Sequence, residues 1–285
     1  MTTRLLQQII PTIATSDGAG VKLRRSLGQS QALRFDPFLM LDEFFSDNPD
    51  DYIAGFPSHP HRGFETLTYM LEGHLLHQDH LGNQGDLKSG GVQWMTAGRG
   101  IIHSEMPQQT SGRLRGFQLW INLPAKEKMK PASYLDVQPE QIQVINLPDG
   151  GQAKIIAGTT TIEGQKYIGA IQGISTKPLF MDIRLPAGSS FSLSIDASQQ
   201  AFIYNYDGCI AIGADSEQRT LEAQSAGLLS AGEKVQIMSG AKASAFLLLA
   251  ANPLREPIVQ YGPFVMNSLK EIEQAIDDYK NNRLV

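Results

Sequence analysis

The sequence predicts an all-β protein of two similar antiparallel domains, with a single helix at the C-terminal end. Three observations carry this. Strand-length apolar segments recur at short intervals between turns, in a chain of 285 residues that holds 27 glycines and 15 prolines. Helical periodicity appears only near the C-terminus. A faint pattern also repeats about halfway along: "TYMLEGHLL" at 68–76 resembles "IYNYDGCIA" at 203–211, and "MTAG" at 95–98 resembles "LSAG" at 229–232. The offsets, 135 and 134, point to two copies of one domain rather than a solenoid. The length also suits two domains, each of about 140 residues.

Each element follows from local pattern. "TLTYML" runs into the turn "EG", "GVQWMTA" into "GRG" and "GFQLWINL" into "PA". In the last, Phe117, Leu119, Ile121 and Leu123 take one face and Gln118, Trp120 and Asn122 the other, the period of two of a strand with one oily side. Between 124 and 141 charge and proline rise and the alternation stops, which predicts a linker. It divides the chain into an N-terminal domain over 1–134 and a C-terminal domain over 142–285 that ends in the helix. That helix opens on Ser268, with Glu271 three residues on as a capping box. Leu269, Ile272, Ala275, Ile276 and Tyr279 then form its apolar stripe.

Composition excludes several roles. The net charge of −5 comes with no block of lysine or arginine, so nothing draws a nucleic-acid backbone or an anionic membrane. No apolar run reaches membrane-spanning length, and the N-terminal residues do not read as a leader peptide. The lone Cys209 permits no internal disulfide or cysteine-based metal motif; it reads as a small buried residue in a reducing, cytoplasmic setting.

The chemistry concentrates in one place. All six histidines lie between 59 and 103: His59, His61, His74, His77, His80 and His103. Residues two apart on a strand point the same way with roots about 6.5–7 Å apart, so both imidazoles of a His-x-His can converge on one ion. "SHPHRG" supplies His59 and His61, and "IIHSEMP" supplies a second same-face pair, His103 and Glu105. Three neutral imidazoles and one carboxylate suit a divalent transition metal, whereas Mg or Ca prefers oxygen ligands. On an octahedral ion, two positions stay open for a chelating substrate or dioxygen. Glu65 shares the strand parity of His61 and is a rival fourth ligand, unless Arg62–Gly63 introduces a bulge. His74, His77 and His80 lead into a Gly/Asn loop and read as a solvated hairpin, with His77 and Asp79 as an alternative supporting pair. Sliding the first half onto the second sets His59 and His61 against Ser194 and Asp196, His103 against Ile237 and Glu105 against Ser239, so one metal per chain is expected.

"G-x3-H-x-H-x3-E" followed by "G-x-x-H" resembles the two cupin motifs. More narrowly, "DPFLMLDEF" (36–44), "HPHRGFETLTYMLEG" (59–73), "TAGRGIIHSEMP" (96–107), "GFQLWINLP" (116–124) and "LREPIVQYGPFVMN" (254–267) resemble the pirin family in order and wording. The resemblance implies a bicupin, two cupin-type antiparallel β-barrels packed face to face, with metal in the N-terminal barrel alone. It implies His59, His61, His103 and Glu105 as ligands, Glu65 in a supporting role, and Fe(II) as the usual ion, with Mn, Ni, Cu, Co and Zn as alternatives. Gly98 stands where a cupin carries proline, a departure that bears on the loop before His103. Bacterial members of the family are similar to dioxygenases that open the heterocyclic ring of flavonols such as quercetin with O2. Animal members are described as nuclear co-regulators whose iron state alters partner binding. The enzyme is the preferred expectation, with Glu105 as general base towards a small aromatic substrate; a metal-dependent interaction protein with a protein partner is the alternative.

Overall fold

A computed structural model describes residues 2–285 of the chain. They form two compact units, one made of Ile13–Pro139 and Leu254–Val285, the other of the residues up to Thr12 together with Glu140–Pro253. Both are built from antiparallel strands in one layout. The first unit has a seven-stranded sheet in the spatial order Ser133–Val137, Val92–Thr96, Phe64–Glu72, Leu114–Asn122, Phe38–Ser46, Val21–Arg25, Ile13–Asp17. Its four-stranded sheet runs Phe56–His61, Ile101–Pro107, His74–Asp79, Gln84–Lys88. Leu75 and Leu87 of the small sheet pack on Leu23, Phe44 and Met70 of the large one, which closes the barrel around an apolar layer.

The second unit repeats the layout: Leu6–Pro11, Ser225–Leu229, Gln200–Asp207, Ser244–Ala251, Leu179–Leu185, Gln152–Ala157, Gln143–Asn146 in the large sheet, and Ser190–Ser194, Lys234–Ser239, Cys209–Ile212, Arg219–Glu222 in the small one. The repeat seen at 134–135 residues is therefore a repeat of topology. Between its sheets lies an apolar cluster, in which Phe191, Leu193, Ile210, Val235 and Ile237 of the small sheet meet Met181, Ile203 and Phe246 of the large one.

Strand pairing corrects part of the residue matching. In the first unit His103 lies opposite His59 and Ile101 opposite His61; in the second Ile237 lies opposite Phe191 and Val235 opposite Leu193. Phe191 and Leu193, rather than Ser194 and Asp196, thus occupy the places of His59 and His61. Ser194 and Asp196 are exposed. A uniform offset misses this because the connections before these strands differ in length.

The chain ends are exchanged relative to a division at 134 and 142. Leu6–Pro11 completes the edge of the second unit by pairing with Ser225–Leu229, while the C-terminal helix, Leu269–Lys280, belongs to the first. The 124–141 segment is not a plain linker, since Ser133–Val137 pairs along Val92–Thr96. The helix is capped as expected: Ser268 Oγ accepts from the Glu271 amide at 3.3 Å, and Glu271 Oε2 accepts from Ser268 Oγ at 2.8 Å. Ile272 and Ala275 are buried against Phe264 and Met266, with Ile276 beside them. Leu269 faces solvent at 71% exposure, and Tyr279 sits at the stripe's margin against Phe264. Cys209 is half-buried rather than buried, its thiol 3.6 Å from Glu222 Oε1. No helix among the described residues is long and apolar enough to cross a membrane.

Candidate metal centre and substrate cavity

The Phe56–His61 strand pairs with Ile101–Pro107 so that His59 and His103 face each other directly. His61, two residues beyond His59, returns to the same face and meets them both. Ring centroids lie 4.4 Å apart for His59–His103, 4.7 Å for His59–His61 and 4.9 Å for His61–His103. One nitrogen from each ring lies within 4.8 Å of the others. The His59 and His61 planes cross at 85°, so the rings converge edge to edge rather than stack.

Their protonation suits a cation. Burial pushes the pKa values of His61 and His103 well below the ordinary imidazole value, and the neighbouring rings add to the effect in both. Both are therefore neutral with a lone pair free. His59 Nδ1 lies 2.8 Å from the Pro57 carbonyl, which fixes the proton there and leaves Nε2 as a donor to metal. His61 Nδ1 and His103 Nε2 are buried without a hydrogen-bond partner, the arrangement a metal ion would satisfy. The three residues fit a divalent transition ion.

Glu105 shares the buried face of its strand with His103 and lines the same cavity, but stands outside the tight three-nitrogen group. Its Oε1 accepts from Thr68 Oγ1 at 3.0 Å, while Thr68 Oγ1 is 2.6 Å from Gln118 Oε1. A single hydroxyl proton cannot serve both oxygens. The Gln118 amide satisfies the contact by turning its NH2 towards Thr68, which leaves the Thr68 proton for Glu105.

Glu65 goes elsewhere. The strand breaks at Arg62–Gly63, so the parity shared with His61 fails and the next strand begins at Phe64 in the other sheet. Glu65 is buried, accepting from Thr96 Oγ1 at 2.7 Å, and burial raises its pKa. Gly63 makes the break feasible: at φ +88 a side chain would lie 2.0 Å from the Val265 carbonyl. Gly98 has the same reason for replacing proline. Its φ is +52, a side chain would lie 2.2 Å from the Lys130 carbonyl, and its own carbonyl accepts from the Gly63 amide at 2.8 Å.

The three hairpin histidines separate. His74 is half-buried and pairs with Asp86, and His80 Nδ1 accepts from the Ile102 amide at 3.2 Å in the loop. His77 is not solvated. It is 1% exposed, its Nδ1 is 3.3 Å from His103 Nδ1, and burial lowers its pKa while Glu105 opposes the shift. A fourth imidazole thus braces the third from behind. The inward parity of His77 with Leu75 is a signal in the sequence, since Leu75 is core.

His59 and His61 line a cavity of about 870 Å³. Leu39, Met40, Phe44, Phe56, Leu75 and Trp120 form its apolar wall. From "DPFLMLDEFF", Leu39 and the alternate residues Met40, Asp42 and Phe44 reach the cavity. Phe45 turns away, beneath the guanidinium groups of Arg24, Arg113 and Arg115. Gln118 and Trp120, the face of their strand that reads as solvent-facing, are cavity lining instead. Arg25 and Asp42 meet in the wall through two contacts, Nε–Oδ1 at 2.8 Å and Nη2–Oδ2 at 2.7 Å. Burial pushes Asp42 up to about 6 even so. Neither residue, nor Arg34 nearby, is visible in the sequence as part of a site.

A two-barrel cupin with a three-histidine centre in one barrel is the class that this fold and site define. The chain belongs to the pirin family: residues 20–121 match the Pirin model and residues 180–285 the Pirin C-terminal cupin domain. It is 51% identical, over 94% of each chain, to a protein of Pseudomonas aeruginosa named as a putative quercetin 2,3-dioxygenase. It is 41% identical to human pirin over 93% of this chain and 89% of that one. Among solved structures, a quercetin 2,3-dioxygenase from Acinetobacter baumannii matches with a TM-score of 0.88 at 29% identity, over 99% of this chain and 98% of the other. A bacterial pirin of Escherichia coli, solved with nickel(II), shares the fold at 20% identity and a TM-score of 0.65 over 86% of this chain and 98% of its own.

Proposed function

We propose that the protein is a metal-dependent dioxygenase that opens the heterocyclic ring of flavonols such as quercetin, with His59, His61, His103 and Glu105 holding one divalent ion, Fe(II). The observation that carries this is a cluster of three imidazoles, two of which, His59 and His61, line a cavity of about 870 Å³ with an apolar wall. That volume falls within the range of small-molecule sites. An open cavity is what a substrate requires and a closed redox sensor does not. Relatives named for quercetin 2,3-dioxygenation, at 51% and 47% identity, support the same reading.

The ion, when bound, supplies Lewis acidity to the substrate's adjacent hydroxyl and ketone and redox capacity towards O2. The chain supplies the rest. Phe44, Phe56 and Trp120 hold a flat ring and keep water from it. The Glu105 carboxylate accepts the flavonol hydroxyl proton, and the Thr68 hydroxyl, 3.0 Å away, orients the oxygen that takes it. His77 fixes the His103 ring from behind. Glu105 returns the proton to the ring-opened carboxylate as that product leaves, and the carbon lost from the ring departs as carbon monoxide.

The test is Glu105→Gln, nearly isosteric but no base at neutral pH. Flavonol ring-opening is followed by absorbance and oxygen uptake on parent and variant loaded with equal Fe(II). Turnover should fall about 10²–10⁴-fold, while metal and flavonol binding survive in part. Unchanged turnover would remove Glu105 as the base. No turnover in the parent, across several metals and flavonols, would end the dioxygenase reading.

A further inference from the structure

Five charged side chains line the cavity: Asp17, Arg25, Arg34, Asp42 and Glu105. Four are accounted for. Arg25 is held bidentately by Asp42 and approached by Asp17 at 3.3 Å, and Glu105 belongs to the metal centre. Arg34 is different. Its one side-chain partner is neutral, with Nη2 donating to Gln260 Oε1 at 2.5 Å, and it forms no ion pair among the described residues. It is half-buried, and burial lowers its pKa with no carboxylate opposing the shift. None of its nitrogens is buried without a partner, so its remaining donors are accessible at the cavity, where an anionic group would gain charge-assisted hydrogen bonds. Of the other arginines in this unit, Arg62 has Asp278, Arg113 has Asp47 and Arg115 has Glu43, while Arg24 lies over the Phe45 ring, away from the cavity.

We propose that Arg34 is an anion-recognition residue, and that the substrates of this cavity are flat aromatics carrying a carboxylate or an ionised phenol remote from the oxygens that the metal centre engages. The inference rests on the reading of the cavity as a substrate site and deepens it. The wall formed by Leu39, Met40 and Trp120 takes the ring, Arg34 takes the charge, and the fork of the guanidinium sets which end enters first. Neutral flavonols then bind less tightly than their anions.

The experiment is a binding titration by calorimetry on the full chain, metal-free and loaded with redox-silent Zn(II). The probes are 2-naphthoate against 2-naphthamide at pH 7.5, and 7-hydroxycoumarin against 7-methoxycoumarin at pH 8.5. In both metal states at least one anion should bind about tenfold or more tighter than its neutral partner. Arg34→Gln should reduce that ratio to within twofold, Arg34→Lys should restore part of it, and the neutral probes should keep their affinity, which also certifies folding. A carboxylate preference alone, or a phenolate preference alone, identifies which anion Arg34 reads. Equal binding of acid and amide and of both coumarins, or a preference that survives Arg34→Gln, would overturn the proposal while leaving the aromatic site standing. If none of the four probes binds the parent, the substrate-site reading fails with it.

Discussion

The imidazoles of His61 and His103 are neutral because the barrel closes over them, and that same closure leaves one nitrogen of each without a protein partner. Loss of any one of the three rings removes a donor that nothing nearby replaces. His59→Ala, His61→Ala and His103→Ala should each abolish tight metal retention on gel filtration, whereas Glu65→Gln, remote from the rings, should keep the metal; elemental analysis of the purified variants reads both. Spacing alone brought these three histidines together, because a His-x-His on a strand has one geometry. His77 was legible only through its parity with Leu75, since "EGHLLHQDH" otherwise looks like a wet hairpin until the second sheet covers its inner face. Asp42 was equally hidden, a carboxylate in a strand that reads as core. It carries a pH dependence of definite sign. Its pKa is about 6 in the folded chain against 3.8 for an ordinary aspartate, so the folded state binds the proton more tightly. Its contribution to stability is complete below pH 3.8 and is lost as the pH rises through about 6. Measured by urea unfolding, the stability of the parent relative to Asp42→Asn should fall by on the order of 3 kcal/mol over that window. A constant difference between the two across it would show that Arg25 fully offsets the burial.

The Phe56–His61 strand ends in a corner that is held by the chain's last thirty residues. Arg62, 3% exposed, donates from Nη1 to Asp278 Oδ2 of the C-terminal helix at 2.7 Å, and its Nε reaches the Arg99 carbonyl. Lys128, 1% exposed, donates to the Gly63 carbonyl and Asn122 Oδ1 at 2.7 Å and to the Val265 carbonyl at 2.9 Å. One ammonium thereby ties the corner after His61, the cavity-facing strand Leu114–Asn122 and the tail strand Phe264–Met266. Burial lowers its pKa to about 8, which leaves it mostly protonated at neutrality with all three donors in use. Lys128→Met should cost about 1–3 kcal/mol by leaving buried acceptors unpartnered, read as a lower urea midpoint with an unchanged m-value. A neutral outcome would mean that water replaces the ammonium. The helix itself was legible in its cap and in the centre of its stripe, though Leu269 turned out to face solvent. The helix's destination was not, because an apolar stripe shows only that a face is covered. The role of Lys128 was hidden for a related reason. A lysine among charges and prolines looks solvated, and two of its three acceptors, the Gly63 and Val265 carbonyls, come from distant segments.

At the scale of the whole molecule one layout appears twice, with opposite contents. Both units carry a seven-stranded and a four-stranded antiparallel sheet in corresponding order. The repeat was legible from a handful of turn residues, because turns between matching strands fall at matching intervals. The exchange of the chain ends was not, since a period does not say which edge a terminal strand will join. Where the first unit sets His59 against His103, the second sets Phe191 against Ile237; where the first has His61, the second has Leu193. Those residues belong to an apolar core with Ile210, Val235 and Phe246, and no carbon-only lining can replace the hydration of a cation. The second unit therefore offers no metal donors at the matching positions, and binding should saturate at one transition ion per chain. Elemental analysis of protein purified without oxygen gives the number directly, and a His103→Ala sample in parallel should fall close to zero. Two ions per chain in the parent, with one left in the His103→Ala variant, would place a second centre outside the site of His59, His61 and His103 and break the asymmetry between the two units.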